Sequence, residues 1–311
     1  MSRKDWSLHL GLVIALLALN WILPTYHHGV FARIMVLAVF AMGYNIAFGY
    51  TGLLSLGHAM YFAAGMYGTG LVALYTDVGA IPAWGFGLIC GLALALVTGL
   101  LALRTAGVSL MIVTLMFAQA FYLGILYFGD ITHGDDGFVV PDHARQIAGH
   151  ALSDAGLRYL IAWGLFSAVL IATLWVVRAP FGRVFVAIRE NEERTRLLGY
   201  DTNRRKLGAL VISGGISAGA GAAYALLFGY VGASFAGVQY SILPLLWVLL
   251  GGAGTVIGPF IGTLFMYYLV DYATGITDAY MLIAGLVLIL LTLFAPRGIA
   301  GGLRRLWKDL P

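Results

Sequence analysis

From residue 8 onward the chain is a succession of long apolar runs broken by short polar punctuation. LGLVIALLALNWIL (10–23) and MLIAGLVLILLTLF (281–294) are apolar on every face. A water-facing helix would keep a polar stripe, and a membrane strand would alternate apolar and polar positions. About 17–25 apolar residues are what a helix needs to cross hydrocarbon. The pattern predicts an all-α, polytopic transmembrane bundle as one domain over residues 1–311. The spans are expected at about 8–24, 30–49, 53–75, 81–103, 108–128, 158–177, 207–230, 240–251, 256–273 and 278–295. The eighth, at twelve residues, reads as a half-helix or a tilted crossing, and the glycine-rich third as broken.

Composition agrees with a lipid solvent: 61% of the residues are hydrophobic and only 10% charged, against roughly 25% charged in soluble domains. Ten crossings with the N-terminus inside put fifteen of the eighteen Lys and Arg on one side, leaving Arg33, Arg145 and Arg158 on the other. Basic residues stay on the cytoplasmic face, so both termini are expected inside. Residues 129–157 then form an outer, mildly acidic segment, 178–206 a cytoplasmic loop and 296–311 a cytoplasmic tail. The basic balance is thereby assigned to topology and not to nucleic acid. The lone Cys90 excludes an intrachain disulfide and reads as a small apolar residue. MSRKDW followed by apolar residues resembles a signal peptide, yet no A-x-A site follows, so it reads as a first helix.

Two further patterns concern architecture. Phe48-Gly-Tyr-Thr-Gly52 closes the second span and Phe228-Gly-Tyr-Val-Gly232 the seventh, at opposite faces. An inverted repeat would place them so, and so would chance in a chain with 42 glycines. The loop RAPFGRVFVAIRENEERTRLLGYDTNRRK (178–206) holds twelve of the 32 charged residues. Pro180 starts a helix there and Gly199 stops it, predicting one short surface helix. Both signs are interleaved, which suits a protein partner better than a lipid surface.

The loop resembles the cytoplasmic loop of bacterial ABC importer permeases, where Glu-Ala-Ala, three residues and Gly form the helix that enters a cleft of the ATPase. Here the spacing is Glu193-Arg194-Thr195 to Gly199, with both alanines replaced. More broadly, GYTGLLSLGHAMYFAAGMYG, RTAGVSLMIVTLMFAQ, THGDDGF, PFGRVFVAIRENE, LGYDTNRRKL, LLGGAGTVIGPFIG and LFAPRGIAGGL resemble, in order, the motifs of the branched-chain amino acid ABC permease family, LivM type. The resemblance covers about residues 35–305. It implies an inner-membrane subunit that forms a translocation route with a second permease of the LivH type. Two ATP-binding cassette ATPases would bind ATP and Mg, and a periplasmic substrate-binding protein would dock outside. The chain contains no G-x-x-x-x-G-K-[S/T], so ATP chemistry is assigned to those partners and no cofactor or metal to this chain. Arg183, Arg189, Glu190, Asn191, Glu192, Glu193 and Gly199 are the coupling candidates, expected to tilt spans 6 and 7. Thr132, Gly134, Asp136 and Gly137 match the family's outer-loop pattern and are the docking candidates.

The remaining candidates are open to two readings each. Asn45, Ser55, His58, Tyr61 and Gln119 are polar groups inside spans, either lining the substrate pathway or pairing with a neighbouring helix. Gly251, Gly252, Gly254, Gly258 and Gly262 let helix backbones meet in lipid or form a hinge or gate, with Pro259 expected to add a kink. Arg33 and Asp271 read as side chains reaching the interface. His133 with the outer aspartates would suit a metal only weakly. The rival classes are an ion-coupled secondary transporter, which wants ionisable groups at mid-membrane, and a lipid-modifying enzyme, which wants clustered acids and histidine at one interface.

Overall fold

The computed structural model describes residues 3–147, 149–276, 279–294 and 298–302. The helices are α1 (Arg3–Ile22), α2 (Thr25–Asn45), α3 (His58–Tyr75), α4 (Ala80–Ala102), α5 (Val108–Tyr127), α6 (Gly129–Thr132), α7 (Ala155–Arg178), α8 (Pro180–Glu190), α9 (Glu192–Leu197), α10 (Thr202–Phe228), α11 (Val238–Gly251), α12 (Gly258–Thr274) and α13 (Tyr280–Phe294). All except α6, α8 and α9 follow the ten apolar runs. Five helical stretches, Thr25–Tyr50, α4, α5, α7 and α10, are long and apolar enough to cross a membrane. Among the described residues, helix length and composition support five crossings; the expected count of ten goes beyond them. Arg297 and the tail residues Arg304, Arg305 and Lys308 lie outside the described residues.

α2 and α10 pack on each other at the centre, with 83% of their most apolar windows buried, against 22% for peripheral α5. α10 also packs on α3 and α4, and α2 on α7, α11 and α12. Small residues make this possible, since helices in lipid gain from close backbone approach. A methyl group at Gly65 would overlap the Ala218 backbone, and one at Gly221 the Phe62 carbonyl.

The bundle has two chemically distinct ends. At one, α8 and α9 lie against the end of α2 and the foot of α10. At the other, β1 (Phe138–Val139) pairs antiparallel with β4 (Tyr230–Val231), and β2 (Gln146–Ile147) with β3 (His150–Ala151). Arg33, Arg145 and Arg158 converge there on the C-terminus of α10. The guanidinium groups of Arg33 and Arg158 lie 5.0 and 5.7 Å from the Phe228 ring. Arg145 donates to the carbonyls of Leu226 (2.9 Å) and Leu227 (3.3 Å), where the helix dipole favours cations.

FGYTG and FGYVG sit at these opposite ends, and each is followed by a helix starting ten residues after its phenylalanine, His58 and Val238. α3 pairs with α4 on α10, and α11 pairs with α12 on α2, an arrangement compatible with an inverted repeat. The break expected in the third span lies at its start. Residues 51–57 are not helical, and α3 runs from His58 without interruption. α11, with 14 residues, is about 21 Å long at 1.5 Å per residue, short for a full crossing.

Candidate functional site

The charged loop folds as a bent lever. Pro180 occupies the first turn of α8, where its missing N–H costs nothing. Val184, Phe185 and Ile188 face inward, and Phe185 meets Phe181 at 4.6 Å between ring centroids. Arg205 of α10 lies 4.9 Å over the Phe181 ring. The single helix expected up to Gly199 is interrupted at Asn191, whose backbone is extended (φ −161°). Its side chain accepts from the Arg194 N–H at 2.8 Å and caps α9, a local bond that competes with helix continuation. Gly199 (φ +88°) does end the lever. Just before it, Leu197 and Leu198 are 88% and 71% exposed.

Beside this apolar packing, two polar contacts tie the lever to the bundle. Glu192 meets Lys206 at 2.7 Å and Arg196 at 3.2 Å, and it accepts from Thr202 at 3.2 Å. Lys206 is only 8% exposed against 32% for Glu192, so the cation of the pair is the shielded partner. Burial opposes the charge on Glu192, but the hydrogen bond and charge of Lys206, with Thr202 and Arg196, hold the carboxyl below its usual 4.5. The second contact is a hydrogen bond from Arg189 to the Gly49 carbonyl. Arg183, Glu190 and Glu193 are exposed and form no ion pair among the described residues. Beside the lever is an open cavity of ≈360 Å³, bounded by Gly52, Leu54, Thr105, Val108, Arg189 and Lys206.

Of the polar residues expected inside the spans, Asn45, Ser55, His58 and Tyr61 are enclosed by the chain. His58 is fully buried between Ser213 on α10 (Nε2 to Oγ, 2.7 Å) and Ser55 (Nδ1 to Oγ, 3.2 Å). Ser213 donates to the Gly43 carbonyl at 2.6 Å, so it accepts from His58 Nε2–H, and Nδ1 is left to accept from Ser55. Ser55 in turn accepts from the Gly57 N–H at 3.2 Å. This neutral histidine has every polar atom paired and joins α2, α3 and α10. Tyr61 bonds Thr98 at 2.9 Å, Gln119 is half-buried on α5, and Asn45 bonds Gly254 and Thr255. Ser241 of α11 was not singled out from the sequence. It accepts from the Ala59 N–H at 3.1 Å and caps the buried start of α3. Its signal was a lone serine in an otherwise apolar run.

Gly251, Gly258 and Gly262 line the crossing of α11 and α12. A methyl at Gly251 would overlap the Gly258 carbonyl, and one at Gly262 the Trp247 carbonyl. Gly252 (φ +118°) and Gly254 (φ +76°) turn the chain between the two helices. Pro259 does not kink α12: it lies in its first turn, where proline initiates a helix. At the opposite end, Thr132 donates to the Ile125 carbonyl at 2.6 Å and accepts from the Gly134 N–H at 3.3 Å. Gly134 and Gly137 have positive φ, and the Asp136 carbonyl accepts from Tyr230 at 3.1 Å. The loop is thus fastened to β4 with its aspartates exposed. Arg33 and Asp271 are exposed, as expected of interfacial side chains. Among the described residues no three His, Cys, Asp or Glu converge to hold a metal.

Comparison with known proteins bears on what this arrangement serves. The family model described as "Branched-chain amino acid transport system / permease component" matches residues 27–292. The chain is 27% identical over 287 residues to the high-affinity branched-chain amino acid transport system permease protein LivM of Escherichia coli, covering 85% of this chain and 68% of that protein. A probable LivM of Methanocaldococcus jannaschii is 27% identical over 313 residues, covering 84% and 89%. LivH of Escherichia coli is 23% identical over 284 residues, covering 85% and 91%. No solved structure matches. The chain belongs to the family of permease components of branched-chain amino acid transport systems.

Proposed function

We propose that the chain is one permease subunit of an ATP-driven importer in a bacterial inner membrane. Its solute is a branched-chain amino acid or a related small amide, urea or carboxylate. It forms the translocation route with a second permease subunit of the LivH type. Two ATP-binding cassette ATPases, which hold ATP and Mg, act on the end that carries α8 and α9. A periplasmic substrate-binding protein docks on the end that carries the 132–137 loop.

The lever is the observation that carries this reading. Leu197 and Leu198 are exposed at its tip, within a rim of charged side chains and at the polar end of the bundle. Two adjacent large apolar side chains left exposed at a polar end suit burial against a partner protein. The same lever is held by Glu192–Lys206 to α10 and by Arg189 to α2, so force at the tip reaches both central helices. Its charge therefore serves two purposes, solvation of the loop and a rigid joint to the bundle. An ion-coupled carrier fits less well, because no carboxylate is buried among the described residues.

The test is uptake of labelled L-leucine into vesicles with the proton gradient kept and ATP removed, which is expected to stop transport. Replacing Leu197→Glu together with Leu198→Glu is expected to abolish co-purification with the ATPases without lowering the melting temperature. Uptake that continues without ATP would end this reading.

A further inference from the structure

The inner contact of the lever reaches a second part of the bundle. Arg189 donates to the Gly49 carbonyl in a five-residue π-turn (Ile46–Tyr50) that ends α2. Such turns unseat a helix from its regular ladder and recur at functional sites. Gly49 is in close contact on its other side: a methyl there would overlap the Asn45 carboxamide and lie 2.6 Å from the Gly254 nitrogen. Asn45 accepts from the Gly254 N–H at 2.9 Å and donates to the Thr255 carbonyl at 2.8 Å. Thr255 donates to the Gly252 carbonyl at 2.7 Å and accepts from the Gly258 N–H at 3.1 Å, which fastens the turn to the start of α12.

We propose that Asn45 is a positioning residue that transmits movement of the lever to the joint between α11 and α12. Arg189, Gly49, Asn45 and the Gly254–Thr255 backbone form one rigid node, so a displacement of α8 moves that joint as well as α10. The chemistry of an amide suits the task. It supplies one acceptor and one donor to a single turn, whereas a carboxylate lacks the donor and an aliphatic side chain lacks both. Asn45 is fully buried, so water does not replace a lost bond. The open cavity beside Arg189 gives the lever room to move. The stroke then acts on two helix pairs, α3–α4 packed on α10 and α11–α12 packed on α2.

The inference rests on the importer reading, and its test separates the two. The assembled complex, with its ATPases and binding protein, is placed in proteoliposomes, and ATP hydrolysis and L-leucine uptake are measured on the same sample. Asn45→Ala is expected to leave hydrolysis near wild type while uptake falls about tenfold, the scale expected for one coupling contact. Arg189→Ala is expected to do the same, and the double variant to be no worse than either, because both break one line. Proportional loss of hydrolysis and uptake, or additive losses, would overturn the node while ATP-dependent wild-type uptake kept the importer reading.

A cross-link supplies a second test. A Cβ at Gly52 would lie 3.5 Å from the Arg189 Cβ, within disulfide reach; because Gly52 has a positive φ (+76°) that strains a cysteine, the melting temperature of the Gly52→Cys single variant is measured beside it. In a Cys90→Ser background, Gly52→Cys with Arg189→Cys is expected to transport leucine when oxidised and to lose uptake when reduced. Loss of uptake on oxidation would show that lever and α2 must slide past each other, and would overturn the proposal.

Discussion

Asn45, Ser55, His58 and Tyr61 each end on a neighbouring helix or turn, and these bonds give the central helices their register. A polar group in a membrane interior costs free energy unless paired, and here the partners are serines, threonines and free carbonyls. Ser213→Ala would strand His58 Nε2–H and remove one of the bonds to the Gly43 carbonyl, which still accepts from the Ile46 N–H. A loss of about 1–3 kcal/mol is expected from leaving such a donor unpaired. Thermal unfolding in detergent measures it, and adding His58→Phe should recover part of the loss, because the stranded donor goes too. Glu192 behaves differently, being at the polar end and paired with a cation. Its carboxyl is held below 4.5 in the fold. The tie is therefore complete at neutral pH and is lost only as pH falls through that depressed value. Proteolysis of the loop 178–206 should be slow at pH 7 and become fast only once the pH is taken below that depressed value, whereas in Glu192→Gln it should be fast at neutral pH already.

At the level of elements, two local chemistries shape the site. Asn191 splits the loop helix because its side chain offers the Arg194 N–H a better partner than another helical turn would. Pro180 as a start and Gly199 as a stop predicted one helix; the cap decided otherwise. The α11–α12 crossing depends on missing side chains, as the overlaps at Gly251, Gly258 and Gly262 show. Gly258→Leu is expected to separate the two helices, lower the melting temperature by several degrees and reduce the yield of assembled protein. A Gly258→Leu protein of wild-type stability would remove the close-packing account. Proline at the neighbouring position 259 starts α12, which its place in the sequence, one residue after a glycine, is as consistent with as a kink.

Over the whole molecule, charge sets direction. Eight basic residues of the lever region occupy one end, and Arg33, Arg145 and Arg158 gather at the other around the α10 terminus. In a Cys90→Ser background, Arg194→Cys is expected to react with an impermeant thiol reagent only from the cytoplasmic side, and Asp135→Cys only from outside. The reverse pattern would invert the assignment of both partners. Helix positions, the two-ended charge distribution and the extent of the lever were legible from the chain because each rests on local composition. Apolar length selects a lipid solvent, and basic residues stay inside whatever the rest of the fold does. The pairings His58–Ser213, Asn45–Gly254 and Arg189–Gly49 join residues more than a hundred positions apart. No periodicity or motif records which of many small polar groups will meet, since helix packing brings them together and each is then kept by the cost of leaving it unpaired in a medium without water.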